Sequence, residues 1–343
     1  MRFLDFPREQ IRKRNTLDQF IFSTRVRLAR NIEGLKFPVV LSEKEKKAIE
    51  NEILKYLKKI PFEMDIMTLD ELPRDVIFAY LSNHVITQEF FKSGNLMTYD
   101  INGNWVIMIN EDDHIRIHSI EEGYNAKNIY NRISSIMIQL EEEMDFSFDE
   151  KYGYLTSSIL NMGTGLRVSV IANLYGLVTL KKIETFIDSA NKIGYSIINI
   201  ASRNSDSSLF YIYNIFSLGI SEEDLLNEFE SFLLRLYELE KEARASFFSK
   251  KEELDISFEE IFELKTMHGI SWNNLVYYVS LIDAMNKKYL TADNINQIRK
   301  LIFTTQDDYL IYENQVEKDK IEKVRLDILN KFLSGIKYKK AKL

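Results

Sequence analysis

The chain has 343 residues, 45% hydrophobic and 28% charged, a composition long enough for two domains or one large domain with a satellite. Its formal net charge of −7 argues against nucleic acid as the main partner, although residues 337–342 carry a local basic patch. The absence of cysteine excludes disulfides and thiolate metal sites; the N-terminus is charged too early for a secretory signal, and no apolar run has membrane length, so the expectation is a cytoplasmic protein with no membrane partner.

In chain order, residues 42–57 read as a helix: Ser42 and Glu45 form a capping box, and Ile49, Ile53 and Leu57 recur at helical spacing. Residues 97–99 and 105–109 flank Asn102-Gly103, a hairpin signal, and the second strand runs into an acidic cluster. Residues 126–144 carry an apolar helical stripe of Ile129, Ile133, Ile136, Leu140 and Met144. Residues 168–174 start a strand or helix, and residues 195–200 and 209–216 read as strands around a polar loop at 201–208, with the Tyr and Phe stripe at 210–216 expected in the core. Ser221 with Asp224 caps a long helix, and from about residue 255 the pattern is helical, with a weak boundary at 249–255. Hairpins mixed with helices make the class α+β.

The stretch at 153–167, Gly-Tyr-Leu-Thr-Ser-Ser-Ile-Leu-Asn-Met-Gly-Thr-Gly-Leu-Arg, carries the strongest functional signal. Gly is scarce, 12 residues in 343, so Gly163 and Gly165 stand out as positions of unusual backbone conformation or close ligand approach. No Walker loop occurs, so a bound nucleotide's phosphates would be held by arginines and backbone N–H groups. Residues 22–31 supply Arg25 and Arg27, which share one face if the segment is extended and suit an oligophosphate. Residues 110–116, Asn-Glu-Asp-Asp-His-Ile-Arg, set three carboxylates beside Arg116, a pattern for a site holding both an anionic nucleotide and a cationic acceptor. Each feature alone has a plain alternative: surface arginines, a solvated acidic turn. Ser158 has no nucleophile elbow around it and reads as a hydrogen-bonding contact. His114 and His118 lie in a strand-like stretch where a spacing of four does not pair them, and no metal site is expected.

Together these motifs resemble the phosphagen (ATP:guanido) kinase superfamily, whose signatures are Ser-[Ser/Thr]-Arg-x-Arg, Asn-Glu-Glu-Asp-His-x-Arg and Cys-Pro-x-Asn-x-Gly-Thr-Gly-x-Arg. In particular the chain is similar to the bacterial protein-arginine kinase branch, through residues 27–31 followed by Phe37-Pro38, 84–87, 153–156, 218–223 and 240–244, over roughly residues 18 to 248. The resemblance implies a mainly antiparallel sheet flanked by helices, of the glutamine-synthetase-like type, at 15–248 and a helical appendage at 249–343. It implies MgATP as phosphoryl donor, with Ser23, Arg25, Arg27, Arg116, Arg167 and Arg203 at the nucleotide. It implies Asp112 as base, supported by Glu111 and Asp206, with Ser158 at the acceptor. Asn161, Gly163, Thr164 and Gly165 form the substrate loop, and His84 caps a loop or packs near substrate. Its implied partners are proteins with exposed arginine and an activator or Clp-type stress-response protein, with an oligomer left open.

The departures strike the chemistry. Ser158 stands where the family has a reactive Cys, Ile159 where it has Pro, and Asp112 where it has Glu. Residues 196–207 hold no Glu, and Arg203 and Asp206 are the charged residues available there. In the protein-arginine kinase branch the appendage carries a phosphoarginine-binding motif, to which Lys323 and Arg325 correspond poorly. Three readings remain open: a protein-arginine kinase with altered catalytic groups, a pseudokinase that binds nucleotide or phosphoarginine, and a kinase for a small guanidino metabolite.

Overall fold

The computed structural model describes residues 14–201, 207–285 and 292–335. The first strand, β1 (Ile21–Arg30), precedes α1 (Glu43–Leu57), which is held at its start by the Ser42–Glu45 capping box and buries Ile49, Ile53 and Leu57. Next come β2 (Met64–Thr68), α2 (Arg74–Ser82) and α3 (Gln88–Ser93), none of which the sequence pattern anticipates. The hairpin of β3 (Leu96–Asp100) and β4 (Val106–Ile109) turns at Gly103 with φ +68°. The Asp100 carboxylate accepts from the N–H groups of Asn102 and Asn104 at 3.1 and 2.9 Å, closing that turn.

After β5 (Ile115–Glu122) comes α4 (Ala126–Glu141), whose stripe of Ile129, Ile133, Ile136 and Leu140 is buried. Strands β6 (Phe148–Asp149) and β7 (Gly153–Tyr154) form a small separate ladder. Residues 168–174, left open between strand and helix, belong to a strand, β8 (Leu166–Asn173). Helices α5 (Tyr175–Thr179) and α6 (Ile183–Lys192) lead to β9 (Tyr195–Asn199) and β10 (Leu209–Asn214). The Tyr and Phe stripe enters the core only in part: Phe210 and Ile212 are buried, but β10 stops at Asn214 and leaves Phe216 exposed. Six helices close the described chain: α7 (Glu222–Phe248), α8 (Lys251–Glu263), α9 (Trp272–Met285), α10 (Ala292–Thr304), α11 (Asp307–Asn314) and α12 (Ile321–Gly335).

Eight strands form one sheet in the order β2-β3-β4-β5-β1-β8-β10-β9. The ladders β2–β3, β3–β4, β4–β5 and β1–β5 are antiparallel, and the fold is α+β with helices flanking the sheet. Arg27 lies opposite His118 and Ala29 opposite Arg116, which puts Arg25, Arg27, Arg116 and His118 on one face. Among the described residues no helix is long and apolar enough to cross a membrane.

The chain divides into two compact units. One contains Ser23–Val170 and Tyr213–Ser231; the other contains Arg14–Phe22, Ile171–Ile212 and the chain from Phe232 onward. The second unit is built on an apolar cluster centred on α9, including Leu275, Val279 and Ile282, with Ile298 and Ile302 of α10 and Leu329 of α12. It also buries charge. Asp283 accepts from Arg299 Nε at 2.6 Å and from Asn173 at 2.8 Å, and Arg299 donates onward to the carbonyls of Asp18, Gln19 and Ile21. Arg325 is also structural here, buried and donating to the carbonyls of Thr305 and Ile270 at 2.8 and 2.9 Å.

Candidate active site

The candidate site residues that the structure describes lie within the first unit. As an extended strand, β1 aims Arg25 and Arg27 the same way, with Ser23 two residues earlier, buried and paired in register with Glu122. Arg116 enters from β5 on the same face, and Arg167 follows Gly165 at the start of β8, the other neighbour of β1. Arg27, Arg25 and Arg167 all lie close enough to Arg116 to repel its charge; with its burial as the larger cause, they push its pKa well down. Four arginines from three adjacent strands therefore converge. Arg116 stays cationic, because a guanidinium starts so high and Glu111 contacts it directly.

The acidic turn between β4 and β5 is held in place by its backbone and its neighbours. Asn110 adopts φ +56°, and its side chain donates to the Lys46 carbonyl at 3.0 Å. Glu111 is buried against Arg116 and accepts from the Thr87 hydroxyl at the N-cap of α3. Asp113 is buried and accepts from the Asn31 amide and the Ser157 N–H, both at 2.8 Å. Asp112 differs from both. Its side chain is 36% exposed, and its nearest arginine contact, Arg116, is 3.5 Å away. Partial burial, then the like charges of Asp113 and Glu89, raise its pKa, with Arg27 opposing. A reachable carboxylate with a raised pKa can take a proton from a neighbouring cation at neutral pH.

The loop at 153–165 closes over these groups. Ser157 donates its hydroxyl to the Asp112 carbonyl at 2.5 Å, so Ser157, and not Ser158, bonds the acidic turn. Ser158 starts a short 3-10 turn (Ile159–Asn161) without capping it through its side chain. Asn161 accepts from Arg27 at 2.8 Å. Gly163 bridges to Tyr154 on one side and Ser217 on the other at φ +106°, and a Cβ there would collide with the Ser217 carbonyl oxygen. Gly165 holds φ +66° and accepts from the Ala29 N–H at 3.1 Å. The Thr164 carbonyl accepts from Arg30 at 2.9 Å.

Arg30 stands in the 27–31 motif, which assigns it no role; the structure makes it a supporting residue. It is buried, lies over the Tyr154 ring at 3.4 Å, and donates to the Ala29 and Thr164 carbonyls. Asn31, next in sequence, receives the His114 N–H at 2.9 Å and donates to Asp113 and the Leu155 carbonyl, tying three segments. Asn31 stands in the Arg-Asn pair that ends the basic motif, which is the one sequence signal for it.

His84 sits at φ +57° after α2, exposed at the surface near Arg25. His118 is fully buried beside Arg25, Arg27 and Arg116, so burial and those charges keep it neutral, and neither ring nitrogen has a hydrogen-bond partner in the described protein. His114 is buried too, accepts from the Ile32 N–H at 3.1 Å and is lowered to about 4 by burial. Among the described residues no group of three or more His, Cys, Asp or Glu is placed to hold a metal. Arg203 and Asp206 lie outside the described residues.

An anion with several oxygens and a planar cation could therefore be held side by side, the first on the arginines and the second on Asp112. A family model described as ATP:guanido phosphotransferase, C-terminal catalytic domain, matches residues 44–243. The protein-arginine kinase of Staphylococcus haemolyticus is 27% identical over 319 residues, 91% of this chain and 93% of that protein. The protein-arginine kinase of Halalkalibacterium halodurans is 32% identical over 232 residues, covering 65% of this chain and 65% of that one. Among solved structures, the duplicated taurocyamine kinase of Schistosoma mansoni with bound transition state analog components superposes with a TM-score of 0.58 at 25% identity; the match covers 66% of this chain and only 33% of that chain. A lombricine kinase superposes with a TM-score of 0.58 at 21% identity, over 67% of this chain and 68% of that one, a likeness of fold alone.

Proposed function

The chain belongs to the ATP:guanido phosphotransferase family, and from that premise we propose that it moves the γ-phosphoryl group of MgATP to arginine side chains of proteins. The observation that carries the reading is the convergence of Arg25, Arg27, Arg116 and Arg167 beside a half-exposed Asp112 of raised pKa. The protein acceptor is supported by relatives named protein-arginine kinase that match nearly the whole chain.

A guanidinium is a poor nucleophile because its lone pairs are delocalised and its charge persists at neutral pH. In this site Asp112 orients the planar cation and takes its proton as the N–P bond forms and the bond from the γ-phosphorus to the bridging oxygen breaks, releasing ADP, while Glu111 and Asp113 are committed to Arg116 and Asn31. The four arginines neutralise phosphate oxygens and the charge of the transferring group. The buried Arg116 Nε, without a hydrogen-bond partner in the described protein, fits an anion seated there. The acids do not fit a protein cage for Mg2+, since two of the three are engaged by side chains; the ion belongs on the phosphate oxygens of its nucleotide.

The test is phosphoryl transfer by purified protein from MgATP to an arginine-rich protein and to free arginine in parallel. Label on the protein acceptor, lost in Asp112→Asn, is the expected result; transfer to free arginine alone would place the chain among metabolite kinases. A second reading, a nucleotide-binding module with slow or no transfer, is favoured by Asp112, one methylene shorter than the family's Glu, and by the neutral Ser158. It predicts MgATP binding without label on either acceptor.

A further inference from the structure

We propose that Ile159 and Leu160 form an apolar rim that selects acceptor arginines having apolar neighbours in the same polypeptide. This inference rests on the reading of Asp112 as the acceptor carboxylate.

The two side chains are exposed where aliphatic residues ordinarily hide, Ile159 at 76% and Leu160 at 44%. Their place on the chain gives the exposure meaning. One residue before Ser158, Ser157 is bonded to Asp112 and Asp113; one residue after Leu160, Asn161 is bonded to Arg27. The three residues between are thus pinned at one end to the acidic turn, through the Asp113 carboxylate and the Asp112 backbone carbonyl, and at the other to the arginine row. An acceptor whose guanidinium reaches Asp112 brings its adjoining residues against that span.

The patch continues beyond the loop. Ser217 donates its hydroxyl to the carbonyls of Asn161 and Met162, both at 3.0 Å. Its neighbours Phe216 and Leu218 are 56% and 43% exposed. Four exposed apolar side chains therefore sit on two segments bonded to each other. Charge adds direction: Asp112 is the acid of its turn that solvent reaches, so a cation enters at that point and apolar groups flank it. Free arginine has no flanking residues and leaves the rim in water. A peptide with leucine beside its arginine covers it, and apolar contacts of this size discriminate about tenfold to a hundredfold.

The experiment compares two fluorescent peptides with one central arginine, flanked by leucine in one and serine in the other, by anisotropy with full-length protein; MgATP binding is measured alongside. The leucine peptide should bind at least about tenfold more tightly. An Ile159→Ser, Leu160→Ser double variant should bind both peptides equally and MgATP as the wild type does; both positions are exposed, so folding is not at risk. Equal binding of the two peptides by the wild type, or a preference that survives in the double variant, overturns the rim. So does undiminished binding of a leucine peptide with citrulline in place of arginine, since the rim would then act apart from the guanidinium pocket. If MgATP fails to bind, the proposed function falls; if MgATP binds and the peptides do not differ, the rim alone falls.

Discussion

In the helical unit Asp283 is enclosed by Arg299, Asn173 and Arg244, whereas in the other unit Arg116 faces Glu111, Asp112 and Asp113 with three more arginines close by. Both regions bury guanidinium against carboxylate. In the first, each partner is answered: Arg244 bonds Glu240 and the Asn173 carbonyl, Glu240 receives the N–H groups of Gly176 and Leu177, and Arg299 bonds three carbonyls. In the second, four arginines crowd together, three buried histidine nitrogens lack hydrogen-bond partners among the described residues, and one carboxylate is lifted toward protonation. Buried ion pairs by themselves therefore say little; incomplete satisfaction is the mark of a place made for something else.

The comparison breaks most visibly through Asp283. Asp283→Ala leaves Arg299 buried without its carboxylate, and should cost about 3–5 kcal/mol in urea unfolding. If the loss is under about 1 kcal/mol, the network is not structural. In the arginine row the expected effect moves from stability to ligand. Arg167→Ala or Arg25→Ala should weaken MgATP binding by about 1.5–3 kcal/mol each in calorimetry, with folding stability nearly unchanged, because both residues are partly exposed. Normal binding by both variants would show that the arginine row does not hold the phosphates.

Asp112 sharpens the contrast further. Restoring the family's longer carboxylate and thiol with Asp112→Glu and Ser158→Cys should raise transfer about a hundredfold, the scale of an error of about 1 Å in placement. In the wild type, transfer should fall as pH drops through the raised pKa of Asp112, and Asp112→Asn should leave no such limb. Rapid turnover unaffected by Asp112→Asn would remove it as the base.

The smallest effect concerns His114. Its folded pKa of about 4 lies below the unfolded value near 6.5, so the unfolded chain binds the proton first. Stability is full above about pH 6.5 and is lost as pH falls toward 4, by about 1 kcal/mol at pH 5.5. His118 acts in the same direction. A flat urea midpoint between pH 7 and 5 would contradict this.

Legibility from sequence followed the range of the interactions. The Ser42–Glu45 and Ser221–Asp224 caps and the Asn102-Gly103 turn are settled within four residues, and the helices and hairpin they mark are present. β2 was not legible because its residues are at most half-buried and show no alternation. Phe216 read as core because its type is apolar, yet the strand ends two residues earlier. In the site, the roles of Arg25, Arg27, Arg116 and Arg167 are legible in their motifs. Arg30 stands in the 27–31 motif too, but its role is not legible, because its partner Thr164 is 134 positions away and no local pattern encodes that bond. The same distance hid the bond from Arg27 to Asn161.

The crossing of backbones at Gly163 divides the substrate loop by how freely it can change over generations. At 163 any side chain meets the Ser217 carbonyl, and the neighbouring Gly153 is blocked in turn by the Gly163 carbonyl at 2.6 Å. Drift at those positions is closed off by geometry before selection acts on chemistry. Four residues upstream, Ile159 faces open solvent, and a new side chain there disturbs no hydrogen bond of the loop. If the proposed rim selects acceptors, a lineage can alter that preference one substitution at a time, while the backbone frame at Gly153 and Gly163 is inherited intact.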